Sequence, residues 1–420
     1  MTKTIANDSL RPLGAFERTI DLYMHRNPVQ FSIVLNVVGT ISEDRLEIAL
    51  RHLQTVHPLL AAGIQQPVAG VEPSPPSTFS YSSRPIPIRI AANSTWEIEA
   101  AQEQTMPIET GPGPLVRATL IPALDTESAS TIILTFAHQI TDGRGALRAA
   151  QDLAAILDDA VLPEGNVPPA QEDRLLNFTA ADAPASSEPP FDAAAGEHRH
   201  VDPLPPGRLR AFDASVPVLQ ISELSAETTR ALGDRSRAEF CTVQAALCAA
   251  AASTLFESGE RTHVRINVPI DLRSAVDAND DVAICFGAAM IHLERTPSAT
   301  FWVLARDAAE QLERARQPHT LRAGALGLAA IAPTTADDAE TLMLTATTAD
   351  IEITNLGVTA PTHQNIETLW GPTMTTQVEN EQILGVITHD GVLRMVNTTH
   401  NPIEGLIEGI HANIVDACTC

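Results

Sequence analysis

The chain has 420 residues, of which 44% are apolar and 19% charged, so it holds ample material for a core and more length than one core normally serves. A formal net charge of −25 repels phosphate backbones and anionic lipid, which argues against nucleic acid as a partner. Five cysteines (Cys241, Cys248, Cys285, Cys418, Cys420) are odd in number, lack disulfide or zinc spacing, and suit a reducing compartment.

Residues 1–10 are short and polar with no signal-peptide core, and no apolar run reaches the roughly 18 residues that span a bilayer. The expectation is a cytoplasmic protein with no membrane partner. Cys418-Thr419-Cys420 faintly resembles a double-prenylation tail, yet no basic stretch precedes it, and a frayed terminus is the plainer reading.

In chain order, residues 13–24 carry apolar side chains at helical spacing, and the β-branched run 31–38 reads as a strand. Ser42 is an N-cap for a helix that places Leu46, Leu50, Leu53 and Val56 on one face and stops near Pro58. Ser94-Thr95-Trp96-Glu97 fits a capping box for another helix. Strands follow at 115–121 and 131–136, then a helix at 145–157. From about 161 to 206 nine prolines break every period, and this segment reads as a long crossover or partly disordered linker. The expected division is therefore 1–160, a linker 161–210, and 211–420.

Beyond the linker, 225–238 and 242–256 are helical, 264–269 and 286–293 are strands, and a helix beginning at Phe301 ends before Pro318. The Ala-rich run 245–255 reads as a buried helix. Residues 351–354, 383–388 and 392–396 are strands, the last two joined by a hairpin at His389-Asp390-Gly391, and a helix closes the chain over 402–416. This order predicts α/β layers in each half, without a phosphate-cradling glycine loop.

The chemical signal is Ala137-His138-Gln139-Ile140-Thr141-Asp142-Gly143, at the end of an apolar strand. An imidazole titrates near neutrality and can take a proton from a hydroxyl or amine. Asp142 is placed to lock the turn by pairing with an arginine, and Gly143 and Gly145 to permit a tight turn. The spacing alone is weak: it recurs at His198 and Asp202 in the linker, where no strand precedes it, and that copy reads as solvated chain. His138 itself could equally be a satisfied core histidine. No His, Cys and carboxylate cluster has metal-ligand spacing, so no metal is expected. His57, His389 and His400 read as structural or exposed.

Other segments bear on that choice. Arg11-Pro12-Leu13-Gly14-Ala15-Phe16-Glu17, the run from Leu50 through Pro58, Gly113-Pro114-Leu115-Val116-Arg117-Ala118, Val268-Pro269-Ile270-Asp271-Leu272-Arg273 and Thr354-Asn355-Leu356-Gly357 keep one order along the chain. Together they resemble the condensation-type acyltransferases. This superfamily includes nonribosomal-peptide condensation domains, polyketide-associated acyltransferases and chloramphenicol acetyltransferase, and the likeness runs from about residue 11 to 411.

The resemblance implies two chloramphenicol-acetyltransferase-like subdomains with a tunnel between them. His138 matches the catalytic second histidine of HHxxxDG, and Asp142 its structural aspartate. Arg273 is then the arginine that pairs with Asp142, the alternative being a surface arginine closing a strand. Asn355 and Gly357 fall near the tunnel, where an amide could steady an oxyanion, although a packing role as a strand-end turn is equally open. The first histidine of the motif is Ala137 here, which weakens a case for peptide-bond condensation.

The resulting expectation is an O-acyltransferase of secondary metabolism. Its donor would be an acyl-CoA or acyl-carrier-protein thioester, its acceptor a small hydroxyl-bearing metabolite, and it would hold no permanent cofactor. Amide formation on a carrier-bound substrate and a non-catalytic recruitment module are the alternatives. The net charge disfavours an acidic carrier protein unless Arg208, Arg210, Arg235 and Arg237 form a basic patch, for which a solvated face is the plainer reading.

Overall fold

In a computed structural model, the described residues are 9–67, 76–123, 128–176, 207–259, 261–276, 278, 281–298, 300–359 and 365–419. The second histidine motif at His198 and Asp202, most of the proline-rich segment and Cys420 lie outside them.

The first half runs β1 (Ser9–Pro12), α1 (Ala15–Met24), β2 (Gln30–Val38), α2 (Glu43–Val56), a 3-10 turn (Pro58–Ala61), β3 (Ala62–Gln65), β4 (Thr78–Tyr81), β5 (Ile88–Ile90), α3 (Trp96–Glu103), β6 (Val116–Ile121), β7 (Ala129–Ala137), α4 (Gly143–Leu157) and α5 (Gln171–Leu176). The second runs β8 (Val218–Leu224), α6 (Ala226–Ala238), α7 (Val243–Glu257), β9 (His263–Asp271), α8 (Arg273–Val276), β10 (Phe286–Glu294), α9 (Phe301–Ala315), α10 (Pro318–Ile331), α11 (Ala336–Thr347), β11 (Ile351–Val358), β12 (Ile366–Met374), β13 (Ile383–His389), β14 (Val392–Thr399) and α12 (Leu406–Thr419).

Two large sheets organise these elements. One has the order β12-β2-β7-β6-β5 and the other β10-β9-β11-β13-β14-β8, with a small sheet β1-β4-β3 at the side. β7 lies at the centre of the first sheet and is buried along most of its length, as its run Ile132-Ile133-Leu134 requires. The second sheet rests on α7, whose alanines are buried nearly all round and let α9 and α12 approach closely. β9 shows the alternation that matters below. Val264, Ile266, Val268 and Ile270 face the α7 core, which leaves Arg265, Asn267, Pro269 and Asp271 on the opposite face.

Several elements differ from their sequence reading. β12 belongs to the C-terminal half, yet it pairs antiparallel with β2 of the first sheet. Gly371-Pro372 lies in its middle, and β12 is an edge strand in that sheet with register shifts, where a missing N–H is tolerated. Pro318 does stop α9, and it then begins α10 at the first helical position. α10 and α11 bury almost nothing of their own, so neither shows a strong apolar stripe. The capping box at Ser94 is absent. The N-cap is Thr95, one residue later, and its side chain makes no cap bond, while Glu99 and Glu103 bind Arg89. The described start of the proline-rich segment, residues 161–176, makes contact with the first half. Ala170 and Leu175 are buried, and Glu172 Oε1 accepts the Phe16 N–H at 2.8 Å.

Among the described residues no single helix is long and apolar enough to cross a membrane, and α7 of the apolar pair α6–α7 is core.

Candidate active site

β7 ends at Ala137, and the next residue, His138, keeps its place because its N–H donates to Val29 O at 3.1 Å. Ala137 itself is fully buried. The imidazole lies between two phenyl rings, Phe31 from β2 at 5.0 Å and Phe286 from β10 at 5.7 Å between centroids. One ring comes from each large sheet. Phe286 in turn meets Phe16 of α1 edge-on at 5.0 Å.

Burial in this apolar sleeve pushes the His138 imidazole below its ordinary value, against the pull of its own backbone, Asp142 and Thr141. Its Nδ1 is buried with no hydrogen-bond partner of good geometry. The ring nonetheless keeps partial exposure, because it lines a cavity of about 160 Å³. The cavity walls come from both halves of the chain. They include Phe31, His138 and Arg144, then Asn267, Phe286, Glu352, Thr354 and Asn355.

Asp142 does not face the cavity as a free acid. It is the N-cap of α4, with Oδ1 accepting from Gly145 N at 2.9 Å, so the helix starts two residues earlier than its sequence pattern suggests. Its Oδ2 accepts from Cys285 N at 2.7 Å and from Arg273 Nη1 at 3.0 Å, and Arg273 Nη2 lies 2.9 Å from Oδ1. Arg273, on α8 just after β9, also donates to Asp271 Oδ1 and to the backbone oxygens of Ala283 and Asp281. Burial opposes its charge, but Asp142 outweighs that and holds the guanidinium above its usual range.

The glycines after the motif serve close approach rather than turn conformation, since neither has a positive φ. A Cβ on Gly143 would meet Leu356 Cδ2 at 2.6 Å, and one on Gly145 would collide with Thr141 Oγ1 and lie 3.1 Å from Arg273 Nη2. α4 can therefore start flush against the other sheet. Arg144, between them, donates to Leu356 O and approaches Asp271 Oδ2 at 3.7 Å.

Asn355 lines the cavity, with its Oδ1 accepting the Gly357 N–H at 2.9 Å in a short turn. Gly357 has φ +80, which favours glycine there, and it does not line the cavity. The other histidines have partners: His57 pairs Asp152 at 2.8 Å, His389 meets Thr359 Oγ1 at 2.7 Å, and His400 contacts Ser215 Oγ at 3.4 Å. Of the four arginines suggested as a basic patch, Arg210 pairs Asp213, Arg235 pairs Glu239 and Arg237 pairs Asp234. Among the described residues no group of His, Cys and carboxylates is arranged to hold a metal.

Sequence reasoning passed over Phe31, Phe286, Arg144, and the polar cavity residues Asn267, Glu352 and Thr354. The last three do leave a signal. They interrupt apolar strands at every second place, as in Ile351-Glu352-Ile353-Thr354.

Comparison with solved structures gives the same architecture over the full chain. Polyketide synthase associated protein 5 from Mycobacterium tuberculosis superposes with TM-score 0.66 at 17% identity, covering 99% of this chain and 100% of that one. The first condensation domain of the calcium-dependent antibiotic synthetase gives 0.66 at 15%, covering 97% and 96%. A trichothecene 15-O-acetyltransferase from Fusarium sporotrichioides gives 0.63 at 14%, covering 97% and 94%. No curated protein sequence matches the chain.

The chain therefore shares the α/β fold of these solved structures. Residues 213–376 match the family model described as phthiocerol/phthiodiolone dimycocerosyl transferase C-terminus.

Proposed function

We propose that the chain is an acyltransferase that moves an acyl group from a thioester, on coenzyme A or a carrier protein, to a hydroxyl of a small metabolite, with His138 as general base. The donor and acceptor approach the ring from opposite sides, through a passage between the two lobes. His138 accepts the hydroxyl proton as the oxygen attacks the thioester carbonyl. The C–O bond forms, the C–S bond breaks, and the proton passes from the imidazolium to the departing sulfur. An amide such as that of Asn355 steadies the oxyanion of the tetrahedral intermediate.

The observation that carries this reading is the position of His138. It is a partly exposed imidazole at a strand end, beside two phenyl rings in a cavity walled by both halves of the chain, and burial holds its pKa below the ordinary value. A neutral ring is the form that accepts a proton. Direct transfer is favoured over an acyl-enzyme because burial pushes the thiol of Cys285, whose N–H binds Asp142, up to about 12, so it is not a thiolate at neutral pH.

The test is product mass spectrometry after offering the protein a panel of acyl thioesters with alcohols and amines. Ester products that require His138 support the reading, and exclusive amide products would replace it with an N-acyltransferase.

A further inference from the structure

On the wall of the His138 cavity, β9 and β11 run parallel with Glu352 opposite Asn267. Asn267 Nδ2 donates to Glu352 Oε2 at 2.8 Å, and Thr354 Oγ1 to Glu352 Oε1 at 3.0 Å. All three side chains line the cavity, on the face of the sheet away from the α7 core. Asn267 is 97% buried, and its Oδ1 has no hydrogen-bond partner among the described residues. An orphaned acceptor of this kind is unfavourable unless something donates to it. A carboxyl group at the same place is expensive as a mere filler, where a leucine would pack at no such cost.

We propose that Glu352, Asn267 and Thr354 form a polar recognition subsite for the acceptor, selecting molecules that carry a hydrogen-bond donor, a second hydroxyl or an amine, besides the hydroxyl that is acylated. The inference deepens the proposed function and rests on it. Three oxygen-bearing groups lie together there: the carboxyl of Glu352, the amide of Asn267 and the hydroxyl of Thr354. Each can accept from a donor group, whereas the phenyl rings around His138 offer nothing polar. Burial pushes the Glu352 carboxyl above its ordinary range, against the hydrogen bonds from Asn267 and Thr354. In its neutral form it can also donate to an acceptor oxygen, which suits a diol. In its ionised form it pairs with an ammonium, which suits an amino alcohol. The shared requirement is the second polar group.

The experiment compares a straight-chain alcohol, the vicinal diol and the amino alcohol of equal carbon count, with one fixed acyl thioester. It uses the full chain and its Glu352→Gln and Asn267→Leu variants. Wild type should show a KM for at least one bifunctional acceptor about ten- to a hundredfold below that of the plain alcohol, the size of one or two hydrogen bonds to a charged or buried group. Both variants should erase that preference, bringing the KM of the bifunctional acceptor to that of the plain alcohol in the same variant. Binding of the diol and amino alcohol, followed by ligand-observed NMR, is measured alongside.

Equal KM values for all three acceptors in wild type would overturn the subsite and leave the acyltransferase reading standing. A protein that transfers nothing, yet binds a bifunctional probe only while Glu352 is intact, would overturn the reading and keep the subsite. A protein that neither transfers to nor binds any of the three overturns both. A preference for the diol alone or the amino alcohol alone identifies which donor the subsite takes.

Discussion

Arg273 holds both carboxylate oxygens of Asp142, Nη1 at 3.0 Å from Oδ2 and Nη2 at 2.9 Å from Oδ1, across 131 residues of chain. Both side chains are about 95% buried, so the pair is shielded from water and from salt. Asp142 simultaneously caps α4 and receives the Cys285 N–H. The bridge thus fixes the segment after His138 against the other sheet.

Removing one partner strands a buried charge. Arg273→Ala should lower unfolding free energy by about 3–5 kcal/mol, measured by urea denaturation. Arg273→Lys should recover only part of that loss, because an ammonium cannot reproduce the two-point grip. Equal stability of Arg273→Ala and wild type would show that the bridge does not tie the lobes.

The glycines give a graded test of the same contact. Gly145→Ala would drive its methyl first into Thr141 Oγ1 and then crowd Arg273 Nη2 and Ala283 N, disturbing both the turn after His138 and the bridge. Gly143→Ala meets only the end of the Leu356 side chain, which can rotate. Gly145→Ala should therefore be the more destabilising, with overpacking costs of about 1–3 kcal/mol as the scale. The opposite order in thermal denaturation would mean that α4 does not seat as described.

Burial holds His138 below its ordinary value of 6.5, and this sets two signs. For activity, the base is neutral at pH 7, and kcat/KM should fall only as pH drops well below 6.5. For stability, the unfolded ring binds a proton at higher pH than the folded one. The contribution of the neutral ring is thus complete above 6.5 and is lost as pH falls through the lower folded value. Phe286→Ala, which removes one wall of the sleeve, should move the acid limb of the rate profile up toward 6.5. A wild-type inflection at or above 6.5 would contradict the apolar sleeve as its cause.

Much of this was legible from residue order. The 3.6 and 2 periodicities located most helices and strands, and Ser42 does accept a hydrogen bond as an N-cap, while Ser225 and Thr242, read only as helix starts, prove to cap α6 and α7. The hairpin at Asp390-Gly391 forms with both residues at positive φ, as that dipeptide favours. What escaped depends on contacts distant in sequence. β12 is a strand only because β2 is beside it, and Phe286 matters only because the second sheet brings it to His138. The dual role of Asp142, cap and ion-pair partner, follows from the position of residues 273–285, which no local pattern encodes. Glu352 and Asn267 left a trace as polar interruptions of apolar strands, but the cavity they face is a property of the assembled lobes.

The central claim rests on one ring nitrogen accepting a proton beside a thioester. Its most direct test is the rate of ester formation by His138→Ala against wild type, with the best thioester and alcohol from the panel and with thermal melts to confirm folding. The account predicts a loss of about a hundred- to ten-thousandfold in kcat at near-wild-type melting temperature. A folded His138→Ala protein that turns over as fast as wild type would contradict it.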